Sequence, residues 1–188
     1  MLFENVAGSS MPVLINLFGT IERVAWGMNR EPDELRQLGE MLAFFRQPEP
    51  PGGWRAAVEM MPHLRAALAM RPKTASRAPC QEIVLRGDEI DLRELPVLLH
   101  YEKDGGRYVT AGLQIARHPV TGQRNVSIHR MLLLDRNHLS VYAPPGRHTR
   151  AIIERNLDDG RPTEIATAIG TEPVLQIATQ ARVPLGVD

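Results

Sequence analysis

Residues 108–134 read YVTAGLQIARHPVTGQRNVSIHRMLLL, and the fold turns on this stretch. Val109, Ala111, Leu113 and Ile115 alternate with Thr110, Gly112 and Gln114, the period of two that sends successive side chains to opposite faces of a strand. Pro119-Val120-Thr121-Gly122 is turn chemistry, with Pro fixing one φ and Gly free to take a positive one. The chain then returns over residues 124 to 134, so Tyr108–His118 and 124–134 are expected to form an antiparallel hairpin. A second turn at Asp135-Arg136-Asn137 and a strand over Leu139–Ala143 extend it into a meander.

Working outward, Gln81–Arg86 and Leu95–Leu99 read as two further short strands, separated by a turn at Gly87-Asp88. Downstream come a helix from Thr149 to Leu157, a turn at Asp158-Asp159-Gly160, a strand over Ile165–Ile169 and a short helix opened by Thr171-Glu172-Pro173. Upstream the period changes. Val13-Leu14-Ile15 is strand-like, but Leu35, Leu38, Met41, Leu42 and Phe45 recur at helical spacing behind Glu31-Pro32-Asp33-Glu34, an acidic, Pro-containing first turn. That helix should end before the breaker cluster Pro48–Gly53, and a Met-rich, Leu-rich segment over 54–70 should be kinked at Pro62 and used for core packing. The change near Gln81 implies an α+β fold, with residues 1–80 an α/β region and 81–188 an antiparallel sheet domain.

Composition narrows the function. The 188 residues carry 22 Lys+Arg against 22 Asp+Glu, so no bulk field attracts nucleic acid or anionic lipid, and any anion site must be local. Hydrophobic residues at 43% and charged residues at 23% are ordinary for a folded soluble protein. No apolar run reaches the roughly 18–20 residues that span a bilayer, and Met1-Leu2-Phe3-Glu4-Asn5 lacks a basic leader pattern, so a cytoplasmic location is expected. The single cysteine, Cys80, excludes an internal disulfide or a Cys-built zinc site and reads as an inert, partly buried thiol.

The chemistry-bearing residues cluster between Asn125 and His148. Arg130 shares parity with Val126, Ile128, Leu132 and Leu134, and a guanidinium in an apolar row must meet either a structural carboxylate or an anionic ligand. The opposite parity carries Asn125, Ser127 and His129, which suits either a solvated sheet face or a polar site. Pro144-Pro145-Gly146-Arg147-His148-Thr149-Arg150 leads into a helix, so Arg147, His148 and Arg150 could frame a phosphate at the helix start or form an exposed basic loop. Asn125 and His148 offer an amide oxygen and an imidazole nitrogen, half of a hard-metal site that would need a carboxylate and a ligand phosphate to complete it. His63, His100, His118 and His138 read as surface or satisfied residues.

The segment Asn125-Val126-Ser127-Ile128-His129-Arg130 resembles the Asn-x-[Gly/Ser]-Ile-x-Arg strand of the UbiD-type decarboxylases. The resemblance continues, in order, through Leu2-Phe3-Glu4-Asn5-Val6, Met11-Pro12-Val13, Asn16-Leu17-Phe18-Gly19, Pro79-Cys80-Gln81-Glu82, Asp91-Leu92, Leu95-Pro96, Thr110-Ala111-Gly112, Ala168-Ile169-Gly170 and Val183-Pro184-Leu185-Gly186-Val187-Asp188. It implies a prenylated-FMN-dependent, non-oxidative decarboxylase of aromatic or α,β-unsaturated acids, for example a 4-hydroxybenzoate-type ubiquinone precursor, with residues 81–188 as the first part of a flavin-binding split β-barrel.

Carried over residue by residue, the resemblance makes Asn125 and His148 ligands of a divalent metal, Mn²⁺ or Mg²⁺, that bridges to the cofactor phosphate. Ser127, Ile128, His129, Arg130, Tyr142, Ala143, Arg147 and His148 become cofactor contacts, and Arg130 the catalytic Arg that pairs with a Glu. Val126, Ala178, Thr179 and Ala181 match a loop for a monovalent cation such as K⁺. Family members are over twice this length, and their third metal ligand and acid/base carboxylates fall beyond Gly186-Val187-Asp188. The expectation is therefore an internal fragment, or one product of a split gene, that is inactive by itself and forms a homo-oligomer or is completed by a second chain. Two other readings stay open: a non-catalytic flavin-phosphate-binding or assembly subunit, and an FMN reductase-like split barrel, the latter by fold analogy only.

Overall fold

The computed structural model describes residues 1–46, 53–55, 58, 61, 65 and 74–180. The breaker cluster and most of the expected kinked helix over 54–70 lie outside them. Strands β1 (Leu2–Phe3) and β2 (Val13–Leu14) pair antiparallel. Helix α1 (Ile21–Gly27) follows, started by Thr20, whose hydroxyl accepts from the Arg23 N–H. Helix α2 (Glu34–Arg46) begins where the acidic, Pro-containing turn predicts, and the Glu34 carboxylate accepts from the Glu31 N–H at 2.9 Å.

The centre of the molecule is the hairpin, but each of its arms is broken. The first arm is β3 (Tyr108–Val109) and β4 (Leu113–Arg117), and the return arm is β5 (Arg124–Ile128) and β6 (Met131–Leu133). With β7 (Leu139–Val141) and β8 (Ile165–Ala168) they form two three-stranded antiparallel sheets, ordered β3-β6-β7 and β5-β4-β8. The hairpin therefore passes from one sheet to the other at a corner made by Thr110-Ala111-Gly112 and His129-Arg130. Gly112 permits the crossing: a Cβ there would stand 2.5 Å from Met131 Cε and 3.3 Å from both Val109 Cγ1 and Thr167 Cγ2. The turn is as expected, with Gly122 at φ +75° and its N–H bonded to the His118 carbonyl at 2.9 Å.

Helix α3 (His148–Asp158) covers one face of the β5-β4-β8 sheet through Thr149, Ile152 and Asn156, all buried and spaced along one side of the helix. The short helix α4 (Pro173–Ala178) packs on α1, where Gly27 leaves room for Pro173; a Cβ on Gly27 would lie 2.8 Å from Pro173 Cβ.

Three expectations are corrected. Gln81–Arg86 is not a strand: Pro79–Gln81 is a turn of 3-10 helix, and Ile83, Val84 and Leu85 are 81%, 56% and 51% exposed. The strand preference of β-branched Ile83 and Val84 had no partner strand to act on. Leu95–Leu99 reduces to a single bridge, Leu98 to Tyr108, because Pro96 withdraws a donor from any ladder. Cys80 sits on that 3-10 turn and is exposed. Of the two settings left open for the polar parity, Asn125 and Ser127 take the covered one and are half-buried. Theirs is the face that α3 covers.

Candidate functional site

The corner between the sheets borders a cavity of about 500 Å³. β5 contributes Ser127 and Ile128, the corner His129 and Arg130, and β3 and β6 contribute Tyr108 and Leu132. Ser140, Tyr142, Pro144 and Arg147 line the side leading into α3, and Thr179 and Gln180 lie at the end of α4. Among the described residues two guanidinium groups and no carboxylate stand on this lining, so its field is positive although the chain is neutral overall.

Each charged group has an identifiable physical setting. Arg130 leaves the strand at the corner, so it does not occupy the apolar row that parity assigned to it. It is exposed, with its guanidinium over the Tyr108 ring at 5.5 Å from the centroid. Among the described residues no carboxylate pairs with it. His129 is 8% exposed, and its Nε2 is buried without a hydrogen-bond partner. Burial, and secondarily the positive charge of Arg147, push its pKa below the usual value, so the ring is neutral at pH 7. Arg147 is the N-cap residue of α3, and no side chain caps this helix, leaving its first-turn N–H groups open to an anion.

Behind the cavity wall lies a buried polar cluster. Asn125 Nδ2 donates to Thr149 Oγ1 at 2.9 Å and reaches Ser127 Oγ at 3.4 Å, and the Ser127 and Thr149 hydroxyls are 2.6 Å apart. Thr149 is 1% exposed. Gln114, opposite Ser127 in the ladder, is 2% exposed, with its Oε1 unpartnered. A second, smaller cavity of about 350 Å³ adjoins the first through Ile128 and Gln180 and is bounded by Phe18, Thr110, Ala111 and Ile177.

The structure gathers Ser127, Ile128, His129, Arg130, Tyr142 and Arg147 around one cavity, joined there by Thr179. Asn125 and His148 are not on that lining. Asn125 bonds Thr149, the residue that follows His148 at the start of α3. Ala143 is buried behind the wall, Val126 points to the opposite face of the sheet, Ala178 is exposed on α4, and Ala181 lies outside the described residues. Sequence reasoning missed Tyr108, Leu132, Ser140, Pro144 and Gln180 on the lining, and Thr149 behind it. Thr149 left a signal: with Ile152 and Asn156 it forms the i, i+3, i+7 stripe of the expected helix.

Comparison with known proteins gives this geometry a context. The model of the 3-octaprenyl-4-hydroxybenzoate carboxy-lyase Rift-related domain matches residues 71–188, and that of the same family's N-terminal domain matches residues 1–42. An uncharacterized protein of Synechocystis sp. is 35% identical over 186 residues, which are 98% of this chain and 37% of that protein. An evolved dimeric form of the UbiD-class enzyme HmfF from Pelotomaculum thermopropionicum, solved in complex with prFMN, superposes with a TM-score of 0.75 at 34% identity. The match covers all of this chain and 39% of HmfF. Apo 3,4-dihydroxybenzoic acid decarboxylase (AroY) from Klebsiella pneumoniae superposes at 0.74 with 26% identity, over 98% of this chain and 34% of AroY.

This chain belongs to the UbiD family.

The HmfF structure holds prFMN, an anionic, aromatic flavin, and the lining here suits such a group: two guanidinium groups, the rings of Tyr108 and Tyr142, an uncapped helix start and an unpartnered imidazole nitrogen. The fit to a divalent metal is partial. Asn125 and His148 are two neutral donors, and no group of three His, Cys, Asp or Glu residues converges among the described residues.

Proposed function

We propose that this UbiD-family chain forms the flavin-binding portion of a prenylated-FMN-dependent decarboxylase of aromatic or α,β-unsaturated carboxylic acids. The observation that carries the reading is the positive, aromatic cavity at the sheet corner, where Arg130, Arg147 and the unpartnered His129 meet. When bound, the prenylated flavin supplies the electron sink for loss of CO₂. The chain's own residues have simpler tasks. Arg147, Ser127 and the first-turn N–H groups of α3 hold the phosphate. Arg130, steadied over Tyr108, holds the substrate carboxylate. Neutral His129 fills the wall without adding positive charge. Asn125 and His148 supply two ligands to a Mn²⁺ or Mg²⁺ ion at the phosphate, and the segment around Thr179 holds a monovalent cation.

Among the described residues the lining offers no carboxylic acid to protonate the product, and neutral His129 is a weak donor at pH 7. The reading therefore assigns the acid to a complementing segment or chain, in a soluble cytoplasmic assembly. No described helix is long and apolar enough to cross a membrane. The missing carboxylate equally supports a second reading, in which the chain is a non-catalytic flavin-phosphate-binding or assembly subunit.

FMN titration followed by flavin fluorescence tests the site. The parent chain should bind FMN, and Arg147→Ala should weaken binding about ten-fold, the worth of one charge-assisted hydrogen bond. Equal affinity in parent and variant would move the phosphate elsewhere. With prenylated FMN and Mn²⁺, no CO₂ should leave aromatic acid substrates until the complementing part is supplied. Release by the parent chain that disappears in Arg130→Ala would show that it contains its own acid.

A further inference from the structure

The hydroxyl of Thr149 is almost inaccessible and lies outside the cavity, yet it takes part in two of the three contacts within the Asn125, Ser127, Thr149 triangle. The donor inventory restricts how that triangle can be wired. Asn125 Nδ2 can only donate, so Thr149 Oγ1 accepts from it. At 2.6 Å the two hydroxyls share one proton, which comes either from Thr149 or from Ser127. If Thr149 donates, Ser127 already accepts, and its own proton is left to turn toward the cavity that Ser127 lines. If Ser127 donates, only its lone pairs face the cavity, beside two guanidinium groups that concentrate anions there. An anion in the cavity selects the first arrangement, in which three polar groups point the same way and polarise one another.

We propose that Thr149 is a positioning residue for the phosphate end of the site: it makes Ser127 a hydrogen-bond donor to the phosphate and fixes the amide plane of Asn125. The inference rests on the flavin reading above. The isosteric Thr149→Val variant removes both contacts without changing side-chain shape, whereas Thr149→Ser retains the hydroxyl.

The experiment compares FMN with riboflavin, which has the same ring system and no phosphate, by fluorescence titration of the parent chain and both variants. Thr149→Val should lose about ten-fold in FMN affinity and nothing in riboflavin affinity, with Thr149→Ser close to the parent. An equal loss for both flavins, or no loss for either, overturns the positioning role while leaving the flavin site standing. A parent chain that does not prefer FMN over riboflavin removes the phosphate reading, and this inference with it. If circular dichroism shows Thr149→Val to be unfolded, Ser127→Ala decides: it should lose the preference for FMN over riboflavin, and a retained preference overturns the proposal. A direct check is the Asn125 side-chain amide in NMR spectra, whose hydrogen exchange should be slow in the parent and Thr149→Ser and fast in Thr149→Val. Fast exchange in the parent would also count against it.

Discussion

The two faces of the β5-β4-β8 sheet reverse the usual relation between polarity and burial. The face under α3 carries Gln114, Asn125 and Ser127 beside Ala116: Gln114 and Ala116 are each 2% exposed, Asn125 and Ser127 are half-buried, and Thr149 and Asn156 close over it from the helix. The other face carries Leu113, Ile115, Val126 and Ile128. It is covered at Leu113 and opens toward Val126, which is 38% exposed. A buried polar layer costs free energy unless every group finds a partner, whereas an exposed valine costs little. A polar layer kept inside while valine faces out is therefore better explained by the site it supports than by stability. The cavity lies at the end of this sheet, and Ser127 belongs to both the buried layer and the cavity wall.

The sharpest way to break this comparison is to delete one apolar group from each side. Ile152, 2% exposed, is the main apolar contribution of α3 to the covered layer. Ile152→Ala should cost about 3 kcal/mol in urea unfolding, the usual result of emptying a packed site. Val126→Ala on the open face should cost about 1 kcal/mol or less, since much of that side chain is already in water. Equal costs would mean that the open face is covered in solution and that the contrast does not describe the free chain.

A smaller effect isolates the polar half of the layer. Asn156 Nδ2 donates to the Ile152 carbonyl and to Thr163 Oγ1, both at 3.1 Å. Asn156→Ala removes the bond to Thr163 and the second donor on the Ile152 carbonyl, which keeps its helical N–H partner, and should cost about 1 kcal/mol. No measurable change would show that the layer hydrates readily, and the same would then be expected of the Thr149 cluster.

Much of this arrangement can be read in the sequence. The Pro119–Gly122 turn, the start of α2 behind Glu31-Pro32, the α3 stripe and β8 all follow from local chemistry that acts within a few residues. What escapes is long-range. The alternation in 108–118 and in 124–134 runs unbroken through Thr110–Gly112 and His129-Arg130, and nothing local marks these as places where the chain changes sheets; the corner exists because Met131 packs where Gly112 leaves space. For the same reason parity put Arg130 in an apolar row and left Asn125 and Ser127 open between a solvated face and a polar site. Parity says which residues share a face, but what covers that face is decided by α3, some twenty residues away. Ile83, Val84 and Leu85 show the converse: a strand-like run with no ladder to join. Within the site, the residues quoted for the family resemblance line the cavity well, because the motif spans the corner itself, while Tyr108 and Gln180 arrive from other elements.

The smallest expected effect concerns protons. His129 closes the covered layer at the corner, and burial together with Arg147 holds its pKa below 6.5 in the folded chain. The unfolded chain therefore binds a proton at higher pH than the folded one. Stability is complete above about pH 6.5 and declines as pH falls through the unfolded value toward the depressed folded value, below which this contribution is constant. A separate loss comes from Asp91, whose carboxylate Arg93 holds at about 2 by hydrogen bonds, so its contribution fades only as the pH falls from about 4 toward 2. The two windows do not overlap at pH 5–7, and unfolding midpoints there should slope in the parent and be flat in His129→Gln. Because burial is the larger cause and Arg147 the smaller, Arg147→Gln should raise the His129 pKa only part of the way to its usual value, as read from the ring C–H resonances. Full recovery in that variant would mean that the imidazole is reached by water and that the corner is not sealed.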